Sequence, residues 1–73
     1  DKSYTVDLFN AGIKKISQKV VEEAGETAIA AVSQDKKEFI NESVDLLYHL
    51  LVLTSALDID LNDIWDELEN RSK

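Results

Sequence analysis

Two short clusters of carboxylates, Glu22, Glu23 and Glu26 and then Glu42 with Asp45, lie inside stretches of helical periodicity beside their apolar positions. Negative charge on a helix ordinarily sits opposite the apolar stripe, facing water. Glu23 and Glu26 are three residues apart, so on a helix both reach one point beside it, and Glu42 and Asp45 repeat that spacing. Carboxylates brought together in this way repel one another unless a cation stands between them. Hard oxygen ligands select Mg2+, Mn2+ or Ca2+, and Mg2+ typically completes its shell with waters and phosphate oxygens. Such an ion lowers the pKa of a bound water and neutralises charge developing on a phosphate. Metal-assisted phosphate chemistry is therefore the activity in prospect. Lys19, one turn before Glu22 and Glu23, could hold a phosphate or simply pair with Glu23.

Either cluster alone is also what a solvated helix face looks like, because charged pairs on helices are common. Two clusters, each abutting an apolar stripe, set a cation site beside that reading. His49 falls one turn after Asp45 and could touch the site or be a satisfied core residue. Tyr48 and Trp65 read as packing residues. Lys14, Lys15, Lys36 and Lys37 read as solvent-facing, or as cations able to meet phosphate.

The elements that must position these groups are helices. The 73 residues contain no Pro and two Gly, a composition that favours helix throughout. Ser3 or Thr5 is expected to cap a short first helix with Asp7 in its first turn, and Gly12 either ends that helix or is tolerated inside a longer one. Apolar or small residues at Ile13, Ile16, Val20, Ala24, Thr27, Ala28 and Ala31 predict a helix over 13–33. Asp35 with Glu38 makes a capping-box-like start for a helix running to about Leu57, with Phe39, Leu46, Leu47, Leu50, Leu53 and Thr54 covering one broad side. Asp60 is the expected N-cap of a last helix whose inner side is Ile64, Trp65 and Leu68, with Arg71 and Lys73 at its C-terminus. The short turn after Ser33 makes the two long helices antiparallel neighbours, so that the carboxylate clusters can face each other.

Size and charge narrow the function. One domain is the limit, and a chain this short buries only roughly 60% of its unfolded surface. No Cys is present to supply disulfides or thiolate ligands, which also fits the cytoplasm. The run from Leu46 to Leu53 is apolar almost all round, which predicts burial on every side. Few short helices cannot surround it, so it is expected at the centre of a subunit interface in a homodimer or higher homo-oligomer. The longest purely apolar run, Leu50 to Leu53, is far too short to cross a membrane, and a net charge of −7 argues against binding nucleic acid. The chain begins at Asp1, as a fragment or processed product would.

The acidic pattern, Glu22-Glu23-x-x-Glu26 answered by Glu42-x-x-Asp45, resembles the signature of the all-α nucleoside triphosphate pyrophosphohydrolases, the MazG-like superfamily. Within it, Ser3-Tyr4-Thr5, Leu8-Phe9, Gln18-Lys19-Val20, Ile29-Ala30-Ala31 and the run Asp45 to Leu53 resemble the phosphoribosyl-ATP pyrophosphohydrolase family of histidine biosynthesis. The likeness runs essentially end to end. It implies an antiparallel helical bundle completed by oligomerisation, and Mg2+-dependent hydrolysis of phosphoribosyl-ATP to phosphoribosyl-AMP and pyrophosphate. It also implies that Glu23, Glu26, Glu42 and Asp45 are metal ligands and that Glu22 is either a further ligand or a base orienting the attacking water. Members usually carry another N-terminal helix before the Ser-Tyr-Thr segment. Its absence here would leave the single domain of residues 1–73 one helix short, and would suit a C-terminal piece fused to, or cooperating with, phosphoribosyl-AMP cyclohydrolase. Two other readings stand beside this one: a house-cleaning pyrophosphohydrolase of free or damaged nucleotides, and a non-catalytic helical oligomerisation module.

Overall fold

The computed structural model describes residues 2–72. These form α1 (Lys2–Ala11), α2 (Ile13–Val32), α3 (Lys36–Ala56) and α4 (Leu61–Arg71), and no strand occurs among the described residues. The α1 helix already runs through Ser3 and Thr5, so neither caps it, and Asp7 lies beyond its first turn. Gly12 breaks the chain between α1 and α2. Its φ of 92° and ψ of 169° belong to a region that side chains avoid, and its carbonyl accepts from Ile16 N–H to start α2.

The turn between α2 and α3 closes by hydrogen bonds alone. Gln34 N–H donates to Ala31 O and Asp35 N–H to Ala30 O, the paired bonds of a Schellman motif, with Gln34 in the left-handed region at φ 59°. Asp35 then caps α3 by accepting from Glu38 N–H at 3.1 Å. The same motif ends α3, where Asp58 has φ 58° and Ile59 N–H donates to Thr54 O, before Asp60 caps α4 through Asn62 N–H. Ile16 meets Val52 at one end of the α2–α3 pair, and Glu26 meets Glu42 nearer the turn. The two helices are therefore antiparallel.

The core is small. Leu8, Ile16 and Val52 form its buried centre, with Tyr48, Leu53 and Ala56 packed against it. In this way α1 closes the end of the α2–α3 pair farthest from the turn. The inner row of α2 is Ile16, Val20, Glu23, Thr27 and Ala30, whereas Ala24, Ala28 and Ala31 are exposed. Glu23 therefore lies within the inner row rather than at its edge. No residue of α4 is buried, and the expected inner side of Ile64, Trp65 and Leu68 faces outward. Lys73 lies outside the described residues. Within Leu46–Leu53 only His49 and Val52 are buried, and Leu47, Leu50 and Leu51 are exposed. No described helix is long and apolar enough to cross a membrane.

Candidate metal centre

The inner row of α2 puts Glu23 against α3, and the turn after Val32 fixes which residues of α3 it meets. One carboxylate oxygen from each of Glu23, Glu26 and Glu42 lies within 4.8 Å of the other two. Glu23 is buried, Glu42 half-buried and Glu26 exposed, so the group opens from the helix interface towards solvent. An open recess of about 370 Å³, lined by residues including Glu26, Ile29, Ala30, Glu38 and Glu42, lies beside it. A larger recess of about 490 Å³, lined by Ala30, Ala31, Phe39 and Ile40 among others, contains none of these three carboxylates. The smaller recess is thus the one of the two that Glu26 and Glu42 line.

The electrostatics are those of crowded negative charge. Glu42 is pushed up to about 8, first by hydrogen bonding with the Glu26 carboxyl, then by loss of water and by hydrogen bonding with Glu38, with the charges of Glu26 and Glu23 adding less. Glu23 is also raised, first by burial and then by the charges of Glu26 and Asp45, against the opposing pull of Lys19 and His49. Glu42 Oε2 is enclosed and lacks a hydrogen-bond partner. An enclosed, unpartnered oxygen on a carboxylate grouped with two others is chemically suited to ligate a hard cation.

The remaining acids are placed differently. Asp45 is exposed and outside the tight set, although its charge acts on Glu23. Glu22 is turned aside: Lys19 Nζ is 3.2 Å from Glu22 Oε2 and 3.9 Å from Glu23 Oε1, and Gln18 Nε2 donates to Glu22 Oε1 at 3.3 Å. The Lys19 hydrogen bond holds Glu22 below the usual carboxylate range, and the same bond raises Lys19. Glu22 is therefore ionised, and Lys19 is a cation at the rim of the acidic group.

Two aromatic-side residues also belong to this neighbourhood. His49 is buried, with Nδ1 2.7 Å from Asp45 O and Nε2 2.7 Å from the Tyr4 hydroxyl. His49 gives a partial cue in the sequence, one turn after Asp45. Tyr4 gives none, because only the docking of α1 brings it there.

A family profile described as phosphoribosyl-ATP pyrophosphohydrolase matches residues 1–72. The histidine biosynthesis bifunctional protein HisIE of Buchnera aphidicola is 56% identical over 72 residues, covering 99% of this chain and 35% of that protein. The protein of the same name from Vibrio vulnificus is 51% identical over 73 residues, again 35% of its length. The phosphoribosyl-ATP pyrophosphatase of Pyrobaculum aerophilum is 47% identical over 72 residues, 99% of this chain and 77% of that one. The chain thus spans about a third of the bifunctional relatives it matches.

Proposed function

The chain belongs to the phosphoribosyl-ATP pyrophosphohydrolase family, and on that premise we propose that it hydrolyses phosphoribosyl-ATP to phosphoribosyl-AMP and pyrophosphate with Mg2+ held by Glu23, Glu26, Glu42 and Asp45. The observation that carries this reading is the grouping of Glu42, whose Oε2 is enclosed and unpartnered, with Glu23 and Glu26 of the opposite helix. A hard divalent cation bound there would take the place of the proton that Glu42 otherwise holds. Bound there, Mg2+ would supply charge neutralisation on the phosphates and a more acidic water.

The chain's own residues divide the remaining work. The α2–α3 pair sets Glu26 and Glu42 in the wall of an open recess of about 370 Å³, room enough for a phosphate chain. Lys19 presents a cation at the rim, where it can hold a phosphate oxygen of the substrate. Glu22, ionised beside it, is in the state required of a carboxylate that orients the attacking water. Water supplies the oxygen that replaces the broken anhydride bond between the α and β phosphates, and its proton passes to solvent.

Self-association is the second part of the proposal. A compact monomer of 8.2 kDa exposes about 4,500 Å², whereas this chain exposes 5640 Å². Much of the surplus is apolar side chain on α3 and α4, which a second copy would cover.

The test is release of pyrophosphate from phosphoribosyl-ATP by the purified full-length protein, with Mg2+ and with chelator. Turnover with Mg2+ and none with chelator is the expected result. Preference for free nucleoside triphosphates over phosphoribosyl-ATP would favour a house-cleaning role. Absence of any turnover, with Mg2+ binding also absent, would leave a helical oligomerisation module.

A further inference from the structure

Tyr4 and His49 are not among the proposed ligands, yet they tie α1 to the acidic centre. Asp45 O lies 2.7 Å from His49 Nδ1, and a carbonyl oxygen only accepts, so Nδ1 carries the hydrogen. In the neutral ring Nε2 is then a lone pair, and the Tyr4 hydroxyl at 2.7 Å donates to it. Ring packing holds the imidazole as well. Its centroid is 5.8 Å from that of Tyr4 and 5.2 Å from that of Tyr48, both edge-on at 80° and 87°. His49 follows Asp45 by one turn of α3, which places the pair beside the acidic group.

We propose that Tyr4 is a positioning residue whose hydroxyl, through the imidazole of His49, fixes the turn of α3 that carries Asp45 and so sets that carboxylate against Glu23, Glu26 and Glu42. This rests on the reading of those four acids as a cation centre. Asp45 is the one of the four outside the tight set, so its approach to an ion depends most on how its turn of helix is held. A ligand's orienting partner commonly governs affinity and activity as strongly as this.

Tyr48 supplies the control. Its hydroxyl pairs with Thr5 Oγ1, a second link between α1 and α3 that bypasses His49. Tyr4→Phe and Tyr48→Phe each delete one hydroxyl and keep the ring, so both variants retain the packing. Three measurements on the full chain decide the matter: Mg2+ titration of the substrate-free protein, kcat and KM for phosphoribosyl-ATP, and the nitrogen-15 spectrum of His49 without metal at a pH where the ring is neutral. Tyr4→Phe is expected to weaken Mg2+ binding and lower kcat by about tenfold, with KM changed less than about twofold. Tyr48→Phe is expected to leave both within about twofold. The wild-type spectrum is expected to show hydrogen on Nδ1, as the bond to Asp45 O requires.

Hydrogen on Nε2 in the wild type would overturn the proposal. So would Tyr4→Phe with unchanged Mg2+ binding, or equal losses in the two variants, which would mean that α1 docking alone matters. If the wild type released no pyrophosphate, the hydrolase reading would fail, while Mg2+ titration and the tautomer would still judge Tyr4.

Discussion

The facing and outer surfaces of the α2–α3 pair are opposites in chemistry. On α3, Ile40, Val44, Leu47 and Leu51 are exposed, and at about 100° per residue they centre roughly 160° from Glu42 and Asp45. On α2, Val21, Ala24, Ala28 and Val32 are exposed on the side roughly opposite Glu22, Glu23 and Glu26. Carboxylates gather where the two helices meet, and exposed apolar side chains gather on the outer surfaces of both. Among the described residues, the buried apolar side chains are Leu8, Ile16, Ala30 and Val52. A core this slight leaves little margin for charge repulsion. The radius of gyration, 13.8 Å, against about 11 Å for a compact chain of this length, shows how open the arrangement is. The contrast teaches that the two surfaces differ in kind, one grouping carboxylates and the other exposing apolar side chains.

The comparison can be broken most sharply on the acidic side. Glu23→Gln should lower Mg2+-dependent kcat/KM by about 100-fold or more, since it removes a charge set against the ion. A loss below tenfold, measured by pyrophosphate release, would mean the acidic side is only a solvated face. On the apolar side, Leu47→Lys should weaken self-association by about 2 kcal/mol or more, as followed by sedimentation over a range of concentrations. A wild type that sediments as a monomer throughout would show that this side needs no cover.

Acidity offers a third probe. Glu42 titrates at about 8 in the folded chain instead of 4.5. Between those values the folded state keeps a proton that the unfolded chain releases, so the metal-free protein loses stability as pH rises through that window. Glu42→Gln should make melting temperature fall less steeply between pH 4.5 and about 8 and should stabilise the metal-free protein at the upper end. Identical slopes in the two proteins would contradict the crowding of Glu42 by Glu26.

The α4 helix sharpens the apolar half. Trp65 is 52% exposed within one chain, so in a monomer Trp65→Ala should cost less than about 0.5 kcal/mol. In the associated protein the cost should exceed about 1 kcal/mol and should vanish in the Leu47→Lys background. A small cost in both backgrounds would leave α4 outside the interface. The smallest effect belongs to the turn that sets the register of both sides. Gln34 occupies the left-handed region that suits glycine, and Gln34→Gly should stabilise by about 0.5–1 kcal/mol in denaturant unfolding. Destabilisation would show that the Gln34 side chain contributes more than its backbone costs.

Much of this protein is local and was therefore legible in the sequence. Helical periodicity, Asp35 and Asp60 as caps, and the spacing of Glu22, Glu23, Glu26, Glu42 and Asp45 all depend on neighbours within a turn or two. The short turn after Ser33 made α2 and α3 antiparallel, which was enough to bring acid towards acid. Which side chains point inward was decided elsewhere. Periodicity tolerates a rotation of some tens of degrees, and the docking of α3 chose the row through Ile16, Glu23 and Ala30 rather than one through Ala24, Ala28 and Ala31. The same rotation buried Glu23, put Glu42 Oε2 out of reach of water and left Asp45 at the edge. Tyr4 joined His49 only because Leu8 seats α1 on Ile16 and Val52, a contact between residues far apart in sequence. Nor could the pattern of α4 show that its apolar side would find no partner within one chain. Amphipathicity specifies that a face will be covered, and only the packing of the whole chain determines by what.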